Sequence, residues 1–316
     1  MDRLTRPRRA GIAAYRQFKY YKRAMFHEPI LVEQFLTFFK EKTLHVFVDG
    51  TVGAGGHAKA LLEAHPEIER FYGLDQDETA LQIASETLHS FSEKVSLLQG
   101  NFRNMRQLVG EQNIDGLFLD LGVSSMQLDR PEKGFSFSKD GPLDMRMDPS
   151  LKRDAAYVVN TFSEKELGRI FKELGEERHW RAAARAICEA RKKKRLKTTF
   201  QLTEALKHVL TWSGRGGKKI HPMTLVFQAL RIFVNDELNA VKEAIPQGID
   251  WLLTGGRMGV IAFHSLEDRI VKHGFKEEAQ KGTILLLTKK PLVADEIEVK
   301  RNPRSRSAKM RFVEKK

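Results

Sequence analysis

Residues 45–57 read His45-Val46-Phe47-Val48-Asp49-Gly50-Thr51-Val52-Gly53-Ala54-Gly55-Gly56-His57. A short apolar run of β type, His45–Val48, ends at an acid, and a glycine-rich turn leads into helical spacing from about His57 to Ala64. Glycines let the backbone bend sharply and approach a ligand closely, while the next helix N-terminus points amide hydrogens at it. Alone the loop is a weak signal, equally a plain tight turn. The pattern around it repeats. Phe71–Leu74 is a second apolar run ending at Asp75, and 77–89 has helical spacing. Val95–Leu98 is a third run, and Ile114–Leu119 a fourth that ends at Asp120. Near-continuous apolar strands separated by helices predict a parallel sheet covered on both faces, an α/β fold.

Strand signals stop between about 141 and 235. Helices are predicted at 154–174, 178–195, 200–211 and 222–245, with a Gly/Lys loop at 213–219. Strands return at Met258–Phe263 after a Gly255–Gly256 turn, then at Thr283–Leu287 and Lys309–Val313. The expected organisation is a basic leader (1–26), a sheet domain (27–140), an all-helical insertion (141–235) and the remainder of the sheet (236–316). The leader reads equally as a transit peptide, a flexible basic arm, or sequence ahead of a start at Met25.

Composition narrows the chemistry. No apolar run is long enough to span a membrane. The one cysteine, Cys188, excludes an internal disulfide and a four-thiolate zinc site, and suits a reducing compartment; the expected location is the cytoplasm. Histidines and acids show no metal-ligand spacing, so no required metal is expected. The net charge of +13 is unevenly spread: +7 over residues 1–26, −8 over 27–120 and +14 over 121–316. That pattern suggests an acidic part for a small ligand and basic surfaces for a nucleic acid.

Asp75 stands where dinucleotide folds place an acid on ribose hydroxyls. S-adenosylmethionine presents the same ribose. Three features favour it over NAD: a Gly-x-Gly-Gly loop, no second nucleotide-binding half, and an acidic block suited to a sulfonium and an ammonium. Phe102, after the third strand, is a candidate to pack on adenine or to join the core. Asp120 lies on the sheet edge where open α/β folds bind ligands. For RNA, the first candidate is Arg191-Lys192-Lys193-Lys194-Arg195-Leu196-Lys197. Arg215, Lys218 and Lys219 in the glycine loop and Arg301, Arg304 and Arg306 near the C-terminus come next. Stacking aromatics are sought in Phe135, Phe137 and Trp212, each also a core candidate. Asp144 and Arg146 are placed either on the target nucleotide or in a mutual ion pair. His264 precedes an expected helix cap at Ser265 with Asp268 three residues on.

Several ordered segments together resemble one family. They are His27–Leu31, Asp49–Thr51 through Gly55–His57, and the run Asp115–Met147 (DGLFLDLGVSSMQLDRPEKGFSFSKDGPLDMRM). Gly175–Arg178, Phe227–Ile232, Phe263–Arg269 and Asn302–Ser307 complete them. The chain from about 27 to 316 is similar to the RsmH (MraW) family, bacterial small-subunit ribosomal RNA methyltransferases acting on N4 of a cytidine in the decoding centre. The resemblance implies a class I, Rossmann-like methyltransferase sheet with a helical substrate domain inserted, S-adenosylmethionine as cofactor, and 16S ribosomal RNA in the small subunit as partner. It also implies cofactor contacts at Gly55, Gly56, His57, Asp75, Phe102, Asp120 and Gln127. The chain departs from the family pattern at Met126, Met223, Leu225 and Val226.

The amino nitrogen of cytosine gives its lone pair to the ring and is a poor nucleophile. Asp120, or a neighbouring carbonyl, is expected to accept an amino hydrogen, with Ser124 and Ser125 shaping the pocket. Two other readings share these features: a methyltransferase of the same fold on another nucleic acid, and a non-catalytic RNA-binding assembly factor with a vestigial pocket.

Overall fold

A computed structural model describes residues 29–211 and 221–316. Trp212, Arg215, Lys218, Lys219 and the leader 1–24 lie outside the described residues. The strands are β1 (Val46–Asp49), β2 (Arg70–Asp75), β3 (Val95–Gln99), β4 (Ile114–Asp120), β5 (Leu252–Ala262), β6 (Ile284–Leu286) and β7 (Lys309–Lys315). They form one seven-stranded sheet in the order β3-β2-β1-β4-β5-β7-β6. The first five run parallel; β7 is antiparallel to both β5 and β6. This is a Rossmann-like α/β sheet, as expected.

The chain divides into two compact units. One comprises the residues up to Gly122 together with Val241–Lys316, and contains the sheet. Alternation along its strands feeds two cores. Val46, Val48, Leu117, Leu119, Met258 and Val260 face one side, with Val241, Ile245 and Trp251 of helix Glu237–Trp251 and Phe275 of helix Ser265–Gln280. Phe47, Phe71, Phe118, Ile261 and Phe312 face the other, with Phe35 and Phe39 of helix Val32–Phe39 and Leu61 of helix Gly56–Ala64. Burial on both faces is why these strands carry apolar residues at successive positions. β5 is longer than expected. Gly255 and Gly256 do not form a separate turn before it; they lie in a register irregularity opposite Ile114 and Gly116, with Gly255 at φ 82°. Helix Ser265–Gln280 begins after β5, where a helix cap is expected.

The other unit, Val123–Ala240, has no strand of the sheet among its described residues and is built on helices. It starts ahead of position 141 because Phe135, Leu143, Met145 and Met147 belong to its own core, with Phe171, Leu202 and Leu230. Periodicity merges two pairs of helices that capping separates. The stretch 154–174 is Ala155–Thr161 and Glu164–Glu173, because Ser163 and Glu166 form a reciprocal capping box that starts a new helix. The stretch 222–245 breaks at Asp236, whose left-handed φ of 51° ends Thr224–Asn235 before Glu237–Trp251 begins. The remaining helices among its described residues are Ser125–Asp129, Trp180–Lys193 and Thr199–Leu206.

Buried Asn235 ties down the loop before the first of these helices. Its Oδ1 accepts the Met147 N–H at 2.8 Å, and its Nδ2 donates to the Met145 carbonyl at 2.7 Å and to Arg231 at 2.9 Å. Asn235→Ala strands a buried amide and a buried carbonyl together. It is expected to lower the stability of this unit by about 2 kcal/mol, read as a fall in its urea midpoint; an unmoved midpoint would show that these bonds hold nothing.

Candidate active site

The parallel strands of the first unit bring their carboxyl ends to one edge. β1 ends at Asp49, β2 at Asp75 and β4 at Asp120. The turn after β1 is sewn to both neighbours: Gly50 N–H donates to the Phe118 carbonyl and Val52 N–H to the Leu74 carbonyl. Thr51 links two of the acids. Its N–H donates to Asp49 Oδ1 at 3.0 Å, and its hydroxyl accepts the Asp120 N–H at 2.6 Å. The Asp75 carboxylate accepts N–H groups from Gly53 at 3.1 Å and Asp77 at 2.9 Å. Gly53 and Gly55 sit at φ 53° and 83°, so this path needs residues without a Cβ. Gly55 caps the helix that Gly56 and His57 begin. Phe102 opens a 3-10 turn after β3 beside the β1 turn; a Cβ on Gly50 would lie 3.1 Å from its own Cβ. The structure thus gathers Gly55, Gly56, His57, Asp75, Phe102 and Asp120 at one edge of the sheet.

His57 is buried, and its Nε2 lies 2.9 Å from the Ile30 carbonyl. A carbonyl only accepts, so Nε2 carries the proton and Nδ1 presents a lone pair, 3.7 Å from Asp120 Oδ2. Burial holds its pKa down at about 4, so the ring is neutral. Asp120 Oδ1 is buried without a hydrogen-bond partner.

The acids are the dominant electrostatic feature. Burial raises Asp120 to about 8, reinforced by the charges of Asp49 and Glu267. Burial raises Asp49 to about 7, against the Thr51 N–H and with the charge of Asp75. Asp75 goes to about 6, again first by burial. Glu267, itself buried, arrives from the first turn of helix Ser265–Gln280 and accepts the Phe263 and His264 N–H groups at 2.8 and 3.3 Å. Several carboxyls that resist ionisation together form a site that a positively charged ligand relieves.

Gln127 belongs to the second unit, where it and Ser124 form a reciprocal capping box on helix Ser125–Asp129. Asp144 and Arg146 pair with each other: Nε to Oδ1 at 2.7 Å and Nη2 to Oδ2 at 2.8 Å. Arg146 Nη1 donates to the Pro149 and Leu151 carbonyls, so the guanidinium is largely engaged in shaping its own loop. The cap expected at Ser265 is His264, one residue earlier, with Glu267 as its partner. Asp268 instead pairs with Lys309 and Arg311 of β7. Lys192, Lys193, Lys194, Arg195 and Lys197 are exposed at and beyond the end of helix Trp180–Lys193, whereas Arg191 donates to the Val159 carbonyl at 2.8 Å. Arg304 and Arg306 lie on a 3-10 turn, half-buried and exposed respectively; Arg301, before them, is exposed. Phe135 is buried in the core, and Phe137 stacks on His221 at 4.4 Å. Thr51 and Glu267 are site residues that the motif reading did not single out. Thr51 sits inside the quoted turn, and Glu267 is marked by its place three residues after the capping His264.

A sequence profile described as the MraW methylase family matches residues 24–316. The chain belongs to the MraW methylase family. It is 49% identical over 308 residues to ribosomal RNA small subunit methyltransferase H of Protochlamydia amoebophila, covering 92% of this chain and 97% of that one. The protein of the same name from Chlamydia trachomatis serovar D is 47% identical over 290 residues, at 92% and 96% coverage. Among solved structures, an rRNA methylase from Streptococcus thermophilus aligns at 12% identity with a TM-score of 0.44, over 92% of this chain and 98% of that one. As an MraW methylase, the chain places its glycine turn and strand-end acids at the carboxyl edge of a class I sheet.

The acids set a pH dependence whose sign can be worked out. A carboxyl with a raised folded pKa keeps a proton that the unfolded chain has lost. Its contribution to stability therefore falls as pH climbs from about 4 through the folded value. His57, held low, acts oppositely between about 4 and 6.5. Above 6.5 only the acids remain, with Asp49 near 7 and Asp120 near 8. Ligand-free protein is expected to lose thermal stability between pH 6.5 and 8, with Asp120→Asn flattening the decline. A melting temperature constant over that window in the unaltered chain would contradict the acid cluster.

Proposed function

We propose that this MraW methylase transfers a methyl group from S-adenosylmethionine to N4 of a cytidine in the decoding centre of 16S ribosomal RNA, on the small subunit and in the cytoplasm. The cofactor reading is carried by the strand-end acids, with Asp120 Oδ1 buried and unpartnered among them. The substrate reading is supported by the name of relatives up to 49% identical over 92% of the chain.

The residues fit the cofactor chemically. Asp75, fixed by two backbone N–H groups, offers a carboxylate to ribose hydroxyls. Phe102, packed beside the β1 turn, offers a ring edge to adenine. The Gly53–Gly55 path lets a ligand reach the backbone. Asp49, Asp120 and Glu267 offer the negative field that a sulfonium and an ammonium need. When bound, S-adenosylmethionine supplies a methyl group already activated on a positive sulfur.

The chain's own task is alignment and activation of the amine. An oxygen of Asp120 accepts one amino hydrogen, which localises the nitrogen lone pair. After transfer the nitrogen's proton is acidic and departs to Asp120 or to water, so a strong base is unnecessary. Neutral His57 keeps its proton on Nε2 and confronts Asp120 with a lone pair. The two groups therefore share a proton only when Asp120 is protonated. Lys192, Lys193, Lys194, Arg195 and Lys197 supply the phosphate-binding charge.

Asp75→Ala is expected to weaken S-adenosylmethionine binding about 10- to 100-fold by calorimetry, from the loss of charge-assisted hydrogen bonds. Asp120→Asn should cut turnover on small subunits by at least about a hundredfold; retention of both binding and turnover would remove Asp120 from the mechanism. Neutralising 192–195 should weaken RNA binding and lower its salt slope by about 0.7 per charge removed, leaving cofactor affinity unchanged. Mass spectrometry of 16S RNA from cells with and without the gene tests the target nucleotide. An unchanged N4-methylcytidine would reject it.

A further inference from the structure

The basic run lies on a fixed track. Leu196 is buried, and the Asn160 side chain clamps its backbone from both sides: Oδ1 accepts the Leu196 N–H at 2.9 Å and Nδ2 donates to its carbonyl at 2.7 Å. Arg191 is tied to the same helix, Ala155–Thr161, through Val159. The exposed cations Lys192–Arg195 and Lys197 are therefore held against that helix, on a chain that leads directly into helix Thr199–Leu206.

Each of these two helices carries one large aromatic ring open to water. Tyr157 is 43% exposed and Phe200 48%. Among the described residues of the second unit they are the only exposed large hydrophobic side chains. Tyr157 is one turn before the clamping Asn160; Phe200 is four residues beyond Leu196, at most about 14 Å of chain. The Tyr157 ring is braced, and the Phe200 backbone is held. Phe162 meets Tyr157 edge-on at 6.4 Å, and the Arg153 guanidinium lies 5.8 Å over it. Phe200 donates its N–H to Asp140 in the first helical turn. A single exposed aromatic is unremarkable. Two, one on the helix that clamps the cationic run and one on the helix that follows it, combine the parts of a single-stranded nucleic-acid platform: charge for the backbone and π faces for unstacked bases.

We infer that Tyr157 and Phe200 are stacking residues that hold bases of single-stranded RNA beside the Lys192–Lys197 run. The inference rests on RNA being the substrate and adds where its bases are gripped. The platform is sequence-tolerant, because every base presents a π face.

The test uses the full chain and a fluorescent mixed-sequence RNA 12-mer, with a 12-mer of the same backbone carrying abasic riboses as control. Tyr157→Ala and Phe200→Ala should each weaken the ordinary 12-mer about tenfold, and together about a hundredfold. Abasic binding and the salt slope should stay unchanged, and Tyr157→Phe and Phe200→Trp should bind like the parent chain. Circular dichroism melts confirm that these surface changes leave the fold intact; if an alanine variant does not fold, Tyr157→Ser or Phe200→Ser replaces it. The proposal is overturned if the alanine variants match the parent, if abasic binding falls equally, or if the salt slope drops with affinity. A parent chain that binds neither 12-mer nor small subunits overturns the RNA reading itself.

Discussion

The carboxyl edge of the sheet holds more negative charge than a dry site tolerates. Asp49, Asp75, Asp120 and Glu267 converge there because β1, β2, β4 and β5 run parallel and end together. Desolvation and mutual repulsion push the first three toward neutrality. Parallel strands of different length, or an antiparallel β4, would scatter these groups and remove the field. The site is thus a product of topology: each acid closes its strand, and the glycine turn keeps the edge open to a ligand. The feature that makes the edge unfavourable in isolation is the one that suits it to a cationic partner.

The second unit solves a different problem. Its loops are long and its regular elements short, so side-chain amides hold the loops in place. Asn235 fixes the backbone at Met145 and Met147, Asn160 fixes it at Leu196, and Arg146 and Asp144 lock the turn between them. An exposed run of lysines would by itself be a mobile chain. Clamped through one buried leucine, it becomes a surface of definite shape. Rigidity of this kind reduces the entropy lost when a polyanion binds.

Much of this was legible in the sequence because it follows from local rules. The strands of the first half read correctly to within a residue or two, since burial on both faces leaves an unbroken apolar run. The gathering of Asp75, Asp120 and the glycine turn followed from strand-end position. Other features depend on contacts that no local pattern carries. The breaks at Ser163 and Asp236 are decided by one cap and one left-handed residue within otherwise continuous helical spacing. The Gly255–Gly256 pair signals a turn equally well whether the strand stops there or bulges through it. Asp268 spaces like a capping residue, but the cations on β7 claim it from 41 and 43 positions away. Tyr157 and Phe200 pass for core aromatics until their exposure is known.

The order of strands also bears on how the molecule is made. β7, though it follows β5 and β6 in sequence, does not sit at the rim; it is inserted between them. During synthesis β1 to β4 emerge first, then the helical unit, and the sheet is complete only once Lys309–Lys315 follows. Until then β5 lacks a neighbour on one side and Phe312 is missing from beneath Phe38 and Phe39. Loss of Lys309–Lys315 would consequently not fray an edge. It would extract an internal plank from the sheet, leaving β5 bare and β6 with nothing to pair with.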